Sequence, residues 1–139
     1  MPKLKNLDSL VGTIILLHCP FTTPPKNKFI ILLSANPDPI LFMINSDENP
    51  FIENNPALHT QQIKIRQSDY GFLDHDSFVN CSEAITLLSV SEIMKQVNDD
   101  PTRIKGKLID STKTSIRNVV KRSTTLSGVH KDIIRKNIT

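Results

Sequence analysis

The chain has 139 residues, 38 % of them hydrophobic and 22 % charged, with 4 Gly, 9 Pro, 2 Cys and no Trp. That is the length of one domain with enough apolar mass for a core, and it excludes collagen-like, Gly-rich and long coiled-coil chains. The net charge of +3 is unevenly placed: residues 1–101 carry 7 Lys/Arg against 12 Asp/Glu, and residues 102–139 carry 10 against 2.

The start, Met1-Pro2-Lys3-Leu4-Lys5, leads into no apolar signal region. The longest apolar runs, Ile14–Leu17 and Phe29–Leu33, fall far short of the ~20 residues that span a bilayer. A cytoplasmic protein that does not engage a membrane is expected. Gly12 to His18 is short, β-branched and apolar, and predicts a buried strand. His18 at its end is expected to be a partly buried structural residue. Cys19 to Asn27 holds Pro20, Pro24 and Pro25 and predicts a loop, because Pro cannot donate to a ladder. Lys28 to Ala35 predicts a second buried strand, Asn36-Pro37-Asp38-Pro39 a turn, and Ile40 to Ile44 a third strand.

Asn45 to Thr60 is polar, carries Pro50 and Pro56, and predicts a long loop of the kind usually kept for function. Its carboxylates Asp47, Glu48 and Glu53 read as solvated rather than as a Mg²⁺ site. Gln62 to Arg66 alternates and predicts a half-exposed antiparallel strand. Asp69-Tyr70-Gly71 predicts a turn, and Phe78 to Asn80 and Ala84 to Leu88 predict two more short strands. Ser89-Val90-Ser91-Glu92 fits a capping box, so a helix should run to Val97 or Asn98 and end before Pro101. Ser111 or Asp110 should cap a second helix reaching about Ser123, with Ile116, Val119 and Val120 as its apolar stripe. Lys113, Arg117 and Lys121 form a basic stripe beside it. Ser127 should cap a last short helix with Val129, Ile133 and Ile134 inward.

The fold class expected is mainly β (α+β): one domain over residues 1–139. A small, highly curved antiparallel barrel of five to seven strands should fill residues 10–88, with helices confined mainly to the basic part, 89–139. Cys19 and Cys81 are too few for a disulfide framework and predict two reduced thiols. No second Cys/His pair completes zinc-finger spacing with His18-Cys19, so neither metal nor cofactor is expected. The basic C-terminal part suits an anionic partner, nucleic acid or acidic protein, or is a solvated helix face.

Several segments, in chain order, resemble the PemK/MazF family of bacterial toxins. Gly12-Thr13-Ile14-Ile15 is similar to the family's opening strand, and Lys28-Phe29-Ile30-Ile31-Leu32-Leu33-Ser34 to its second. Met43-Ile44-Asn45-Ser46 resembles the end of its third strand, and Tyr70-Gly71-Phe72 with Asp76-Ser77-Phe78-Val79 its Gly-Leu…Asp-Ser-Val segment. The apolar stretch to Leu88 with the helix at Glu92 continues the match, over roughly residues 10–125. The resemblance implies an SH3-like barrel, usually a homodimer. It implies metal-independent cleavage of single-stranded RNA, held in check by an antitoxin whose acidic segment fills the RNA groove. The groove would be lined by the Cys19–Asn27 and Asn45–Thr60 loops.

Two departures matter. The family's catalytic Arg precedes the second strand, where this chain has Lys28. Its catalytic Thr ends the third strand, where this chain has Asn45, followed by Ser46. Lys28 offers a charge but not the planar fork of Arg, and an amide is neither acid nor base near neutral pH. The expectation is a weakened or absent family-type catalysis. The alternative function is a catalytically inactive barrel serving as a protein-interaction module.

For RNA contacts, Phe21 and Phe51 are the candidate stacking rings, unless they fold back onto the barrel. Lys26, Lys64, Arg66, Lys113, Arg117 and Lys121 are the candidate phosphate contacts. Asp74-His75-Asp76 could set a general base, but neighbours on an extended chain diverge. The expectation there is a turn in which Asp76 or Ser77 bonds the backbone. His18, His59, His75 and His130 stand far apart in sequence, and no acid–base pair is read from them.

Overall fold

The two apolar runs decide the sheet. Strand β1 (Thr13–Cys19) pairs antiparallel with β2 (Lys26–Ser34), with Ile14 opposite Ile31 and Leu17 opposite Lys28. Alternate side chains then enter two different cores. Ile14, Ile31 and Leu33 join one; Ile15, Leu17, Ile30 and Leu32 join the other. A sheet covered on both faces needs continuous apolar strands, which is why these runs do not alternate. The computed structural model describes residues 3–47 and 50–139. The Met1-Pro2 start and Glu48 of the acidic loop cluster lie outside the described residues.

Strand β3 (Ile40–Asn45) pairs with β2 and repeats the division: Ile40, Phe42 and Ile44 on the first face, Leu41 on the second. The long segment after it is not all loop. It forms two single-turn helices, α1 (Pro50–Glu53) and α2 (Pro56–His59), the latter capped by the Asn55 side chain. Strand β4 (Gln62–Ile65) pairs with β5 (Ser77–Ile85). The strand expected at Phe78–Asn80 and the first two residues of the one expected at Ala84–Leu88 are thus one long strand, bulged against β3 between Leu41 and Met43, and residues 86–88 lie outside it. The polar residues between the two expected pieces serve the bulge: the Asn80 side-chain Oδ1 accepts from the Ser82 N–H at 3.1 Å.

Helix α3 (Val90–Asp99) starts with both halves of the expected capping box. The Glu92 N–H donates to Ser89 Oγ, and the Ser89 N–H donates to Glu92 Oε1, each at 3.1 Å. Ile93 and Val97 close the second core. A 3₁₀ turn at Pro101–Arg103 leads into β6 (Ile104–Lys107), a strand not expected from sequence, which pairs with β1. All six strands are antiparallel in the order β4-β5-β3-β2-β1-β6, giving a curled half-barrel sheet with C-terminal helices. β6 covers only the first part of β1. Beyond it, Arg103 Nη1 donates to the Leu16 carbonyl at 2.9 Å. The Gln96 side chain accepts from the His18 N–H at 2.7 Å and donates to the His18 carbonyl at 3.2 Å. The His18 side chain itself is exposed, contrary to expectation, because it falls on the outward side of a strand end.

Helix α4 (Asp110–Arg122) buries Thr112, Ile116 and Val120. Neither Ser111 nor Asp110 caps it. Ile109 holds the N-cap position without a side-chain bond, and Asp110 instead puts its charge in the first turn, favourably to the helix dipole. Helix α5 (Gly128–Asn137) is capped as expected, with the His130 N–H on Ser127 Oγ at 3.1 Å. Ile134 is buried, while Val129, expected inward, is 68 % exposed. Ile116, Val120, Ile134 and Ile138 share the first core with Phe42, so the basic helices form one wall of the barrel's interior. Among the described residues no helix is long and apolar enough to cross a membrane.

Buried Tyr70 ties that wall to the sheet side. Its hydroxyl donates to Thr112 Oγ1 at 2.7 Å and accepts from the Ile109 N–H at 3.1 Å. Tyr70→Phe removes the shared partner and leaves both groups short of a bond. The expected cost is about 1–3 kcal/mol, read as a lower urea midpoint at unchanged m value.

Candidate functional site

Lys28 and Asn45 are 17 positions apart, yet the fold joins them. Pairing of β2 with β3 brings the start of one strand beside the end of the other. Lys28 Nζ donates to Asn45 Oδ1 at 3.1 Å. Both side chains have the strand parity of Leu17, Ile30 and Leu41, so they belong to the α3 side of the sheet. Lys28 is half-buried, and its ammonium is held below the usual lysine range, first by that burial and then by the charge of Lys26; Cys19 acts weakly the other way. An ammonium has three N–H donors, and Asn45 takes one of them.

Ser46 lies just past β3 and enters a cleft of about 180 Å³. Lys28 and Phe29 of β2 line this cleft, and so do Leu73, Asp74 and His75 of the connection between β4 and β5. That connection is pinned in place. The Phe72 ring packs against Phe29 with centroids 5.3 Å apart, and Tyr70 lies 6.1 Å beyond Phe72. The Asp76 carboxylate accepts from the Gln67 N–H at 2.8 Å and faces Lys64 Nζ at 3.7 Å. Ser77 Oγ donates to the His75 carbonyl at 3.1 Å. Asp76 and Ser77 therefore do bond the backbone in this turn, as expected of them. The same turn delivers His75 to the cleft wall, which was not expected. Its Nδ1 is 2.9 Å from the Asp76 carbonyl oxygen.

The other candidates are dispersed. Lys26 is exposed on β2, two residues from Lys28. Phe21 folds back and packs partly against the second core, whereas Phe51 on α1 is 71 % exposed. Lys64 and Arg66 line a separate recess with Asp69 and with Ser111, Thr112 and Ser115 of α4. On the α4 stripe Lys121 is exposed and Lys113 half-buried. Arg117 is committed to structure: its guanidinium donates to the Ile138 carbonyl at 3.2 Å and to Thr114 Oγ1 at 3.4 Å. Both cysteines are free and buried. Burial pushes the Cys81 thiol far up, and does the same to Cys19 against the pull of Lys28. Among the described residues no group of three His, Cys, Asp or Glu is placed to hold a metal ion.

Chemically, the cleft offers hydroxyls, an imidazole, the Asp74 carboxylate, and an aromatic and aliphatic wall, with Lys28 at its margin and the Lys28 ammonium on Asn45. That combination suits a polar ligand with a flat apolar part. No protein-family model matches the chain, and no curated protein matches its sequence.

Proposed function

We propose that the chain is a PemK/MazF-like toxin-type protein that binds single-stranded RNA at this cleft and acts on it as a metal-independent endoribonuclease. In this reading it forms a homodimer and is held by an acidic antitoxin-like partner. One observation supports it most: Lys28 and Asn45 stand at the two positions where the resemblance puts the catalytic pair, and they are in direct contact at 3.1 Å beside the cleft. The alternative, a non-catalytic barrel that binds a protein, draws on the same contact. An amide replaces the hydroxyl, and the cation is partly engaged by it.

The test is binding of a labelled single-stranded oligoribonucleotide over a series of salt concentrations. Affinity should fall linearly on a log–log plot, as counterion release requires. Lys26→Ala should weaken binding about equally for all sequences and flatten the slope by about 0.7 of a unit, the value for one phosphate contact on a single strand. Absence of binding at low salt, together with salt-sensitive binding of an acidic polypeptide, sinks the RNA reading in favour of the interaction module.

A further inference from the structure

We propose that His75 is the acid–base residue of the cleft, its Nε2 taking the proton from a ribose 2′-hydroxyl of the bound strand. The proposal rests on the reading of the cleft as a single-stranded RNA site. It goes beyond the resemblance, whose catalytic positions fall on Lys28 and Asn45.

Three observations support it. First, His75 lines the same cleft as Lys28 and Ser46. Second, its tautomer is set. A carbonyl oxygen only accepts, so the contact from Nδ1 to the Asp76 carbonyl at 2.9 Å puts the hydrogen of the neutral ring on Nδ1. Nε2 then carries the lone pair, with no hydrogen-bond partner among the described residues. Third, the polar side chains that share this cleft are Asn27, Lys28, Ser46, Asp74 and Ser77. None of these residue types exchanges protons near neutral pH in its ordinary range, whereas an imidazole does. The position lost to Asn45 is the one that would have supplied a hydroxyl, and His75 brings a group able to replace its proton chemistry.

The ring is also held still. Its turn is fixed by the Asp76 carboxylate on the Gln67 N–H and by the Phe72–Phe29 contact. The charges around it are Lys28 from β2, Asp74 and Asp76 from its own turn, and Lys64 of β4 through its pair with Asp76. In the reaction the 2′-hydroxyl proton passes to Nε2 and the 2′-oxygen forms a bond to phosphorus. The bond from phosphorus to the 5′-oxygen breaks, and that oxygen takes a proton from solvent water. The imidazolium returns its proton to the hydroxide so formed. The products are a 2′,3′-cyclic phosphate end and a 5′-hydroxyl end. Lys28, at the margin of the cleft, offsets the charge that gathers on the phosphoryl oxygens once its ammonium turns from Asn45 to the strand.

The experiment uses the purified full chain, a long single-stranded RNA and a chelator, and follows cleavage, end chemistry and RNA affinity together. The native chain should leave cyclic phosphate ends. His75→Ala should cut about 10²–10⁴-fold more slowly, the usual range for a general base. Its RNA affinity should hold, and so should its melting temperature, because the side chain is exposed. Added imidazole should restore part of the rate in His75→Ala and leave the native chain unchanged, which a merely structural role would not produce. An undiminished rate in His75→Ala, a loss that imidazole does not mend, or native chain that binds RNA without cutting it each overturns the role of His75 and leaves the RNA site standing. A native chain that binds no RNA at low salt overturns both.

Discussion

Lys28→Ala should slow cleavage of single-stranded RNA by ~10²–10³-fold, the typical loss for one charge-stabilising donor. No other cation lines the cleft among the described residues; Lys26, two positions away, is exposed outside it. Lys28→Arg should hold or raise the rate, since a guanidinium can give two parallel bonds to a phosphate. In the Lys28→Arg/Asn45→Thr double variant the hydroxyl returns as well, and the rate should exceed that of either single variant. The measurement is the initial rate on a long RNA in the presence of chelator. A rate in Lys28→Ala equal to native removes this residue from the mechanism. Burial depresses the Lys28 pKa, so the fold disfavours its charged form, and this penalty applies fully below the depressed pKa. Lys28→Ala also removes the bond to Asn45, so its melting temperature is measured beside the rate to separate the catalytic loss from a stability loss.

The largest stability effect should come from Phe42→Ala, at about 3–5 kcal/mol. Phe42 is fully buried on β3 and sits in the first core with Ile14 and Ile31 on the sheet side and Ile116, Val120 and Ile134 on the helix side. Truncation removes a ring whose neighbours on two layers cannot close in together, because the sheet is held by ladder bonds and the helices by their own backbone bonds. A domain of this size has roughly 5–15 kcal/mol in all, so the urea midpoint should fall by about a fifth or more. A drop as small as that of an exposed-site substitution would mean that the helical wall does not close on the sheet at this point.

The first three strands were legible because each is an apolar run bounded by Pro and Asn, and both signals are local. Glu92 and Ser127 announced their caps for the same reason. Strand β6 was not legible. Ile104-Lys105-Gly106-Lys107 has one apolar residue, and it is a strand only because β1, some 90 positions earlier, accepts Gly106 opposite Ile14. Strand β5 was read as two pieces because Asn80, Ser82 and Glu83 look like a break, although the bulge makes use of them. Of the site, Lys28, Asn45 and Ser46 were marked by the resemblance, and their proximity follows from the pairing of β2 with β3. His75 was seen but set aside, since only the path of the turn through Phe72 and Asp76 carries it to the cleft. The basic stripe misled at Arg117: a periodicity of four shows a shared helix face, but not that the guanidinium already serves the Ile138 carbonyl.

Two side chains laid along the outer half of β1, from α3 and the 3₁₀ turn, decide where a visiting strand can bind. Past the end of β6, the main-chain groups at Leu16 and His18 would be a vacant template for a strand from another molecule. Arg103 and the Gln96 amide occupy those groups, the amide meeting a donor and an acceptor as a neighbouring peptide would. This stretch is therefore closed to augmentation, and a partner extending the sheet must do so along β4 or the outer side of β6. These margins lie at opposite ends of the sheet; the β6 margin carries Lys105 and Lys107, and the β4 margin carries Lys64, paired with Asp76.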